Sequence, residues 1–182
     1  LRRAGYNSFD LSKEKGSRIE SRSITQHEAM GRPVTYLGRY AEKYRAEGDS
    51  TLTNGLRGDW GYLEGRWQGF IDSTGMDVVV DMGKVTEIRD VEVDFMHQYD
   101  AVIYAPASVE LMVSDDGKNY KTIDTAQPGV KTKEAYLVYP YRWKGNAKGR
   151  YVRVRALSRE KDAWIFTDEV IVNRIIRSCG KG

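Results

Sequence analysis

The stretch VVVDMGKVTEIRDVEVDFM, residues 78–96, decides the fold class of this chain. In its second half, Val91, Val93 and Phe95 alternate with acidic residues. Successive side chains of a β-strand point to opposite faces, so the apolar residues face a core while the acids face water. The alternation therefore predicts a half-buried strand at residues 91–95.

The same two-residue period recurs along the chain. It appears in SVELMVS at 108–114 and in RYVRVRA at 150–156, and an apolar run closes the pattern at 170–172. The denser MDVVVDM at 76–82 predicts a strand covered on both faces. Since no segment between 34 and 173 keeps a helical period for three turns, these short strands predict an all-β antiparallel sandwich or barrel.

The clearest turn signal is SDDGKN at residues 114–119, between two β runs. An Asp-Gly pair readily supplies the positive φ angles that a tight hairpin requires. Asp115 and Asp116 are therefore predicted to form a turn and not to act as catalytic acids.

The chain has the length of one domain with tails. We expect a polar linker at 1–26, the folded domain at 27–174 and a short tail at 175–182. With no initiator Met and no apolar signal core, the sequence is expected to be a piece of a longer polypeptide. The single cysteine, Cys179, excludes an internal disulfide framework.

Charge gives little reason to propose a polyanionic partner. Lys and Arg together number 29 against 26 for Asp and Glu, and the basic residues are scattered along the chain. We therefore expect no nucleic-acid partner, and a membrane partner is not favoured. No apolar run approaches the ~18 residues that would indicate a transmembrane helix.

The sequence contains few candidate catalytic residues. The two histidines, His27 and His97, are far apart in sequence, and no Gly-x-Ser-x-Gly motif is present. Asp168 and Glu169 are the tempting carboxyl pair, but neighbours on a strand point to opposite faces. We predict a buried or loop-end polar role for that pair and no catalytic residue in the chain.

Four blocks of the sequence carry a family resemblance. They are LTNGLRGDWGYLEGRWQGF (52–70), the stretch 78–96, PASVELMVSDDGKNY (106–120), and RYVRVRA (150–156) followed by AWIFTDEVIV (163–172). In this order they resemble a discoidin, or coagulation factor V/VIII type C, domain of the family 32 carbohydrate-binding kind. The resemblance implies an antiparallel jelly-roll β-sandwich of the galactose-binding-domain-like type.

RWQGF, DFM, VSDDGKN and the terminal W-x-F-T-D-E look most like the C-terminal module of Bacteroidetes family 20 β-N-acetylhexosaminidases, the chitobiases. This implies a non-catalytic carbohydrate-binding module of a secreted glycoside hydrolase. The catalytic barrel, which takes about 250 residues, would lie elsewhere. The expected partners are a glycan and the parent catalytic domain, and the expected location is secreted, periplasmic or cell-surface.

The resemblance also implies a structural calcium ion. Such modules commonly hold calcium between an Asp-Gly loop near the start and a Glu near the end. Here Asn54 takes the Asp position and Glu169 is the terminal carboxylate. We expect these two residues, with backbone carbonyls around 49–58, to enclose one Ca²⁺.

A sugar site combines an aromatic plane with a few polar side chains and is expected in loops at one end of the sandwich. The predicted ligand-binding residues are Trp60, Tyr62, Arg66, His97, Gln98, Tyr99, Arg159 and Trp164, with Tyr104 beside them. Trp67 is assigned to the core. The expected ligand is a terminal amino sugar or a galactoside.

Three alternatives stay open on the sequence. The module can be a structural or protein-interaction unit that packs on the parent enzyme without binding glycan. It can bind phospholipid, as the coagulation C domains do, through exposed hydrophobic residues. It can also contribute residues to the active site of an intact hydrolase.

Overall fold

The computed structural model of the chain describes residues 24–59 and 61–176. Within them lie β1 (Val34–Gly38), β2 (Gln68–Phe70), β3 (Met76–His97), β4 (Ser108–Ser114), β5 (Lys121–Ala126), β6 (Leu137–Leu157) and β7 (Ile165–Val172). Short 3₁₀ helices span Glu42–Tyr44, Gly48–Thr53, Tyr62–Glu64 and Tyr99–Ala101. None of the helices in these ranges is long and apolar enough to cross a membrane.

Every strand pairing is antiparallel. The order along the sheet is β2-β7-β3-β6-β4-β5, with β1 added to β3. Strands β3 and β6 are 22 and 21 residues long and pair with each other along most of their length. Their halves join different neighbours, so the strands form two layers packed on one core, and the predicted jelly-roll sandwich is confirmed.

The five-stranded layer contains β1, the first half of β3, the second half of β6, β4 and β5. The other layer contains β2, β7, the second half of β3 and the first half of β6. Pairing between β3 and β6 shifts register between Asp81 and Thr86, where Gly83 adopts a φ of 87°. Bulged residues bend a strand, and this bend carries β3 from one layer to the other.

The core follows the alternation of the sequence. Val91, Val93 and Phe95 are fully buried, as are the inward residues of β4 and of the second half of β6. Trp67 is 1% exposed, which confirms its assignment to the core, and it packs in a second cluster with Met96. Burial of such side chains from both layers is the main stabilising contribution to a sandwich.

The Asp-Gly turn is confirmed as the connection between β4 and β5. Gly117 has a φ of 76°, and the Asp116 carboxylate accepts the backbone N–H groups of Lys118 and Asn119 at 2.8 Å each. These backbone donors hold the pKa of Asp116 far below its usual value. The carboxylate is therefore engaged in forming the turn.

The folded part begins slightly earlier than the sequence indicated. Ile24 pairs with Leu56, and the Thr25 N–H donates to the Gly55 carbonyl at 2.9 Å. His27, placed by the sequence at the edge of a polar tail, is 3% exposed. The rest of the predicted linker, the tail after residue 176 and Cys179 lie outside the described residues.

Candidate functional site

Several connections meet at one end of the sandwich, which we call the loop end: residues 42–44, 62–66, 98–104, 130–136 and 158–164. The aromatic side chains there surround Phe166, which is 1% exposed. Tyr44, Tyr62 and Trp164 lie with ring centroids 5.1, 5.5 and 5.6 Å from the Phe166 ring. All three residues are partly exposed and pack against this buried base.

Trp164 is held by its backbone. Its N–H donates to the Val102 carbonyl at 2.9 Å, and its own carbonyl accepts the N–H of Tyr104 at 3.2 Å. Val102 has a φ of 58°, an unusual conformation for a β-branched residue, and is 41% exposed. Such backbone strain is retained where the surroundings fix it, and it is concentrated at functional sites.

Tyr44 is a member of this aromatic group that the sequence did not point out. It lies in the 3₁₀ helix Glu42–Tyr44, within a polar run, and contacts Tyr62 and Trp164 edge-on at 5.6 and 5.0 Å. The run AEKYRAEG carries no aromatic pattern that marks Tyr44 as a site residue. Only the folded loop brings it to Trp164.

Polar groups border the aromatic group. The Glu64 carboxylate accepts the backbone N–H of Asp59, and the Tyr136 hydroxyl donates to the Asp59 carbonyl. Desolvation raises the pKa of Glu64, against the effect of that hydrogen bond. Arg66 is also near, with Nη1 3.5 Å from the Arg57 carbonyl oxygen.

The structure thus brings Tyr62, Trp164 and Arg66 of the predicted set to one region. Trp60, predicted as part of the same platform, lies outside the described residues. The other predicted residues belong to the adjoining loops and have different surroundings.

His97 was predicted as a ligand contact, and this is corrected by its burial. The side chain is fully buried, with Nε2 2.7 Å from the Thr132 carbonyl oxygen and its ring against Tyr104 and Tyr139. Burial lowers the pKa of His97, which favours the neutral ring. A neutral ring donating to the carbonyl ties β3 to the loop before β6.

Arg159, also predicted as a ligand contact, is partly exposed and is engaged with backbone groups. Its guanidinium donates to the carbonyls of Ala105, Pro106 and Gly129 at 3.2, 3.2 and 3.0 Å. A guanidinium is a planar fork of donors, so one side chain can join two separate loops. Arg159 therefore supports the loop end from within.

Tyr99 and Tyr104 form a second aromatic pair at the loop end, with ring centroids 6.1 Å apart. Lys131 Nζ lies 4.8 Å from the Tyr104 centroid and forms an ion pair with Glu160. Gln98 contributes mainly through its backbone, which pairs with Ile103. Tyr99 is partly exposed, and Tyr104 is 6% exposed.

The F5/8 type C domain model matches residues 35–170 of the chain. The chain belongs to the F5/8 type C domain family. A search of the curated proteins found no sequence match.

Solved structures share the fold of this F5/8 type C domain at low sequence identity. A fucose binding module of Streptococcus pneumoniae is 14% identical with a TM-score of 0.57, covering 83% of this chain and 96% of that module. Chitosan-binding module 2 of a Paenibacillus sp. IK-5 chitosanase/glucanase, solved with chitotriose, is 13% identical with a TM-score of 0.53, covering 81% and 99%. Module 1 of that enzyme is 15% identical, with a TM-score of 0.54 and coverages of 81% and 98%.

The F5/8 type C domain buries an arginine among carboxylates beneath the loops. Arg57 Nη2 donates to Asp94 at 2.6 Å and Nε to Asp168 at 3.0 Å, while Nη1 donates to the Thr25 hydroxyl at 2.8 Å. Asp168 also accepts the N–H of Gly58 at 2.8 Å. This buried network connects residues 57–58 to Asp94 in β3 and to Asp168 in β7.

Glu169 faces a different network. Its Oε2 accepts the Gly55 N–H at 2.7 Å and lies 2.7 Å from His27 Nε2. Burial, with the charge of Asp168, raises the pKa of Glu169 to about 10. Asp168 and Glu169 are both fully buried and bind different partners, which confirms the predicted buried polar role.

The calcium ion that the family resemblance implied stays a prediction, and both side chains assigned to it make hydrogen bonds within the protein. Two N–H groups engage Glu169 Oε2, and the Leu56 N–H donates to Asn54 Oδ1 at 2.9 Å. Glu169 Oε1 is buried without a hydrogen-bond partner and is therefore available as one ligand. Calcium, however, requires six to eight oxygen ligands. Between residues 24 and 176, leaving out residue 60, no three His, Cys, Asp or Glu side chains form a metal-binding group.

Proposed function

We propose that this F5/8 type C domain is a non-catalytic carbohydrate-binding module that binds a glycan terminus at the loop end. The observation that carries the proposal is the partly exposed aromatic group of Tyr44, Tyr62 and Trp164 on the buried Phe166. A sugar has an apolar C–H face that stacks on such rings and hydroxyls that need polar neighbours. Glu64 and Arg66, in the same 62–66 connection as Tyr62, are proposed to supply those neighbours.

The proposed ligand is a terminal amino sugar or a galactoside. Glu64 lies in the same 3₁₀ helix as Tyr62, and its carboxylate is proposed to attract the ammonium group of an amino sugar. Structural relatives bind chitotriose and fucose, which supports a small saccharide as the ligand.

We further propose that the module is part of a secreted glycoside hydrolase, a β-N-acetylhexosaminidase of the chitobiase type. A parent hydrolase in the periplasm or on the cell surface would use the module in the same way. The sequence blocks 52–70 and 163–172 support this assignment. Deleting the module from the parent enzyme should then lower activity on insoluble glycan while activity on a small soluble substrate is retained.

The test is titration of the domain with glucosamine, N-acetylglucosamine and galactose, followed by isothermal calorimetry and NMR. We expect dissociation constants in the high micromolar to millimolar range, about −4 to −6 kcal/mol. Trp164→Ala and Tyr62→Ala should each weaken binding at least fivefold. Leu63→Ala is the matched control, because Leu63 is adjacent to Tyr62, is 77% exposed and lies outside the aromatic group.

Absence of binding to every sugar would overturn the proposal and favour the structural alternative, a unit that packs on the parent enzyme. Binding that Trp164→Ala and Tyr62→Ala leave unchanged would move the site away from the loop end. Unchanged melting temperatures of the variants would show that they remain folded.

A second candidate function is contact with a lipid surface. Three apolar residues at the loop end are exposed: Leu63 at 77%, Val130 at 61% and Val102 at 41%. Hydrophobic side chains beside cations such as Lys131 suit insertion into an interface. Sedimentation with phosphatidylserine liposomes tests this, and Leu63→Ala should then reduce lipid binding without affecting sugar binding.

A further inference from the structure

A cleft of about 590 Å³ lies on the outer face of the five-stranded layer. Pro33 and Leu37, near and in β1, form one side. The turn between β4 and β5 forms the other side, and β3 and β6 form the floor. The cleft extends toward the end of the layer opposite the loops, where Asp81 and Gly117 lie.

The cleft has aromatic and apolar surface. Tyr120 and Tyr151 are partly exposed and line it together with Val79 and Leu37. Arg153 lies 5.2 Å from the Tyr120 centroid, and this cation–π contact helps to fix the position of the ring. Concave sites that bind small molecules combine surface of this kind with a few fixed polar groups.

The polar groups at the cleft are held in place by paired hydrogen bonds. Arg153 donates to both carboxylate oxygens of Asp77 at 2.8 and 2.7 Å. Arg150 makes the same paired contact with Asp81 at 2.8 and 3.0 Å. A guanidinium has five N–H donors and a carboxylate about four acceptor sites, so each pair keeps capacity to bind hydroxyl groups.

The charges at the cleft balance. Among its lining residues, Asp81 and Asp116 are acidic, and Lys118 and Arg153 are basic. A strongly charged polymer gains little from a surface without net charge, whereas a neutral polyhydroxylated ligand can use both the donors and the acceptors.

We propose that this cleft is a second carbohydrate-binding site, which takes a neutral oligosaccharide across the outer face of the five-stranded layer. Sugar rings pack on Tyr120 and Tyr151, and the ligand hydroxyls bond to the Asp77–Arg153 and Asp81–Arg150 pairs. The site is separate from the loop end and does not depend on it. Two sites on one domain would let it bind a glycan chain at two places at once.

The experiment is NMR titration of the whole chain with N-acetylated chitotriose and with a neutral galacto-oligosaccharide. Amide shifts are expected at Val79, Tyr120 and Tyr151, with a saturation curve distinct from that of the loop end. Tyr120→Ala and Tyr151→Ala should weaken that second event at least tenfold and leave the loop-end shifts unchanged. Thr122→Ala, on the same face outside the cleft lining, is the control.

Each outcome decides between the two sites. Shifts confined to the loop end would overturn the second site and leave the proposed function intact. Shifts confined to the cleft would support the second site and overturn sugar binding at the loop end. Binding of a sulfated polymer but no neutral oligosaccharide at the cleft would also overturn the proposal. Tyr151→Phe keeps the ring and should retain most of the binding, which separates loss of contact from loss of folding.

Discussion

The imidazole Nε2 of His27 lies 2.7 Å from Oε2 of Glu169, and both side chains are buried. The backbone N–H groups of Ala29 and Val172 point to the other ring nitrogen, Nδ1, at 3.2 and 3.3 Å. Because Nδ1 accepts, the proton of a neutral ring lies on Nε2 and is donated to Glu169. Burial lowers the pKa of His27 to about 4, which agrees with a neutral ring.

Replacing His27 by alanine should destabilise the domain strongly. The substitution removes a donor from Glu169 and leaves the buried N–H groups of Ala29 and Val172 without an acceptor. We expect a loss of about 3 kcal/mol in the free energy of unfolding, measured by urea denaturation. Arg39→Ala, which removes an exposed ion pair with Asp49, is the control and should change the free energy of unfolding far less.

Calcium should not change the stability of the domain. His27 and Gly55 already supply N–H groups to Glu169, so no cation is needed to hold this carboxyl group. We expect the same melting temperature in calcium and in EDTA, measured by calorimetry. A rise of several degrees in calcium, reversed by EDTA, would show that Glu169 rearranges around a metal ion.

Arg57 should be more sensitive to substitution than any surface arginine. Removing it leaves Asp94 and Asp168 buried without their cation, at a cost of about 3–5 kcal/mol. Arg57→Lys should rescue little, because one ammonium group cannot reproduce a fork that reaches three side chains. Denaturation of Arg57→Ala and Arg57→Lys gives the comparison, and full rescue by lysine would contradict it.

Arg159→Ala should act on stability before binding. Its three carbonyl partners lie in two loops, and their loss should cost about 1–3 kcal/mol. Under conditions where the variant is fully folded, sugar affinity should fall less than in Trp164→Ala. Calorimetry of both variants distinguishes support of the loops from contact with the ligand.

The Asp81–Arg150 pair should make a small contribution that is lost in acid. The hydrogen bonds from Arg150 lower the pKa of Asp81 in the folded state. Stability from a carboxyl group of depressed pKa is present above its unfolded value, near 4, and is lost as the pH falls through the folded value. The difference between the wild type and Asp81→Asn should be under about 1 kcal/mol at pH 7 and should decrease as the pH falls below about 4.

Arg150→Gln should give the same pH dependence, because it removes the other partner of the pair. Urea denaturation of both variants and of the double variant between pH 2.5 and 7 measures the coupling. A difference at pH 2.5 as large as that at pH 7 would show that the effect does not come from the charge of Asp81.

The fold was largely predictable because alternation is a local signal. The inward-facing side chains of 91–95 and the Asp-Gly turn follow from neighbouring residues alone. The burial of Trp67 was predicted from the family resemblance. The length of β3 and β6 was not predictable in this way. Both strands cross a bend, and the polar residues between 83 and 90 interrupt the apolar pattern within a continuous strand.

The site was predictable only in part because its contacts join distant segments. Tyr62 and Trp164, both predicted from the sequence, lie around Tyr44, which the sequence did not point out, and the predicted ligand residue Arg159 donates to three carbonyls. His97 gave no sign in the sequence of being buried. A hydrogen bond between a polar side chain and a carbonyl in a remote loop produces no periodic pattern in the sequence.

The long strands shared by both layers also bear on how the domain folds. Each layer contains half of β3 and half of β6, so neither layer is complete without strands that continue into the other. Their paired ends, such as Met76 with Ala156, lie 80 positions apart in sequence, and such distant pairing makes folding slow. The domain should therefore unfold as one cooperative unit, with no half that survives alone.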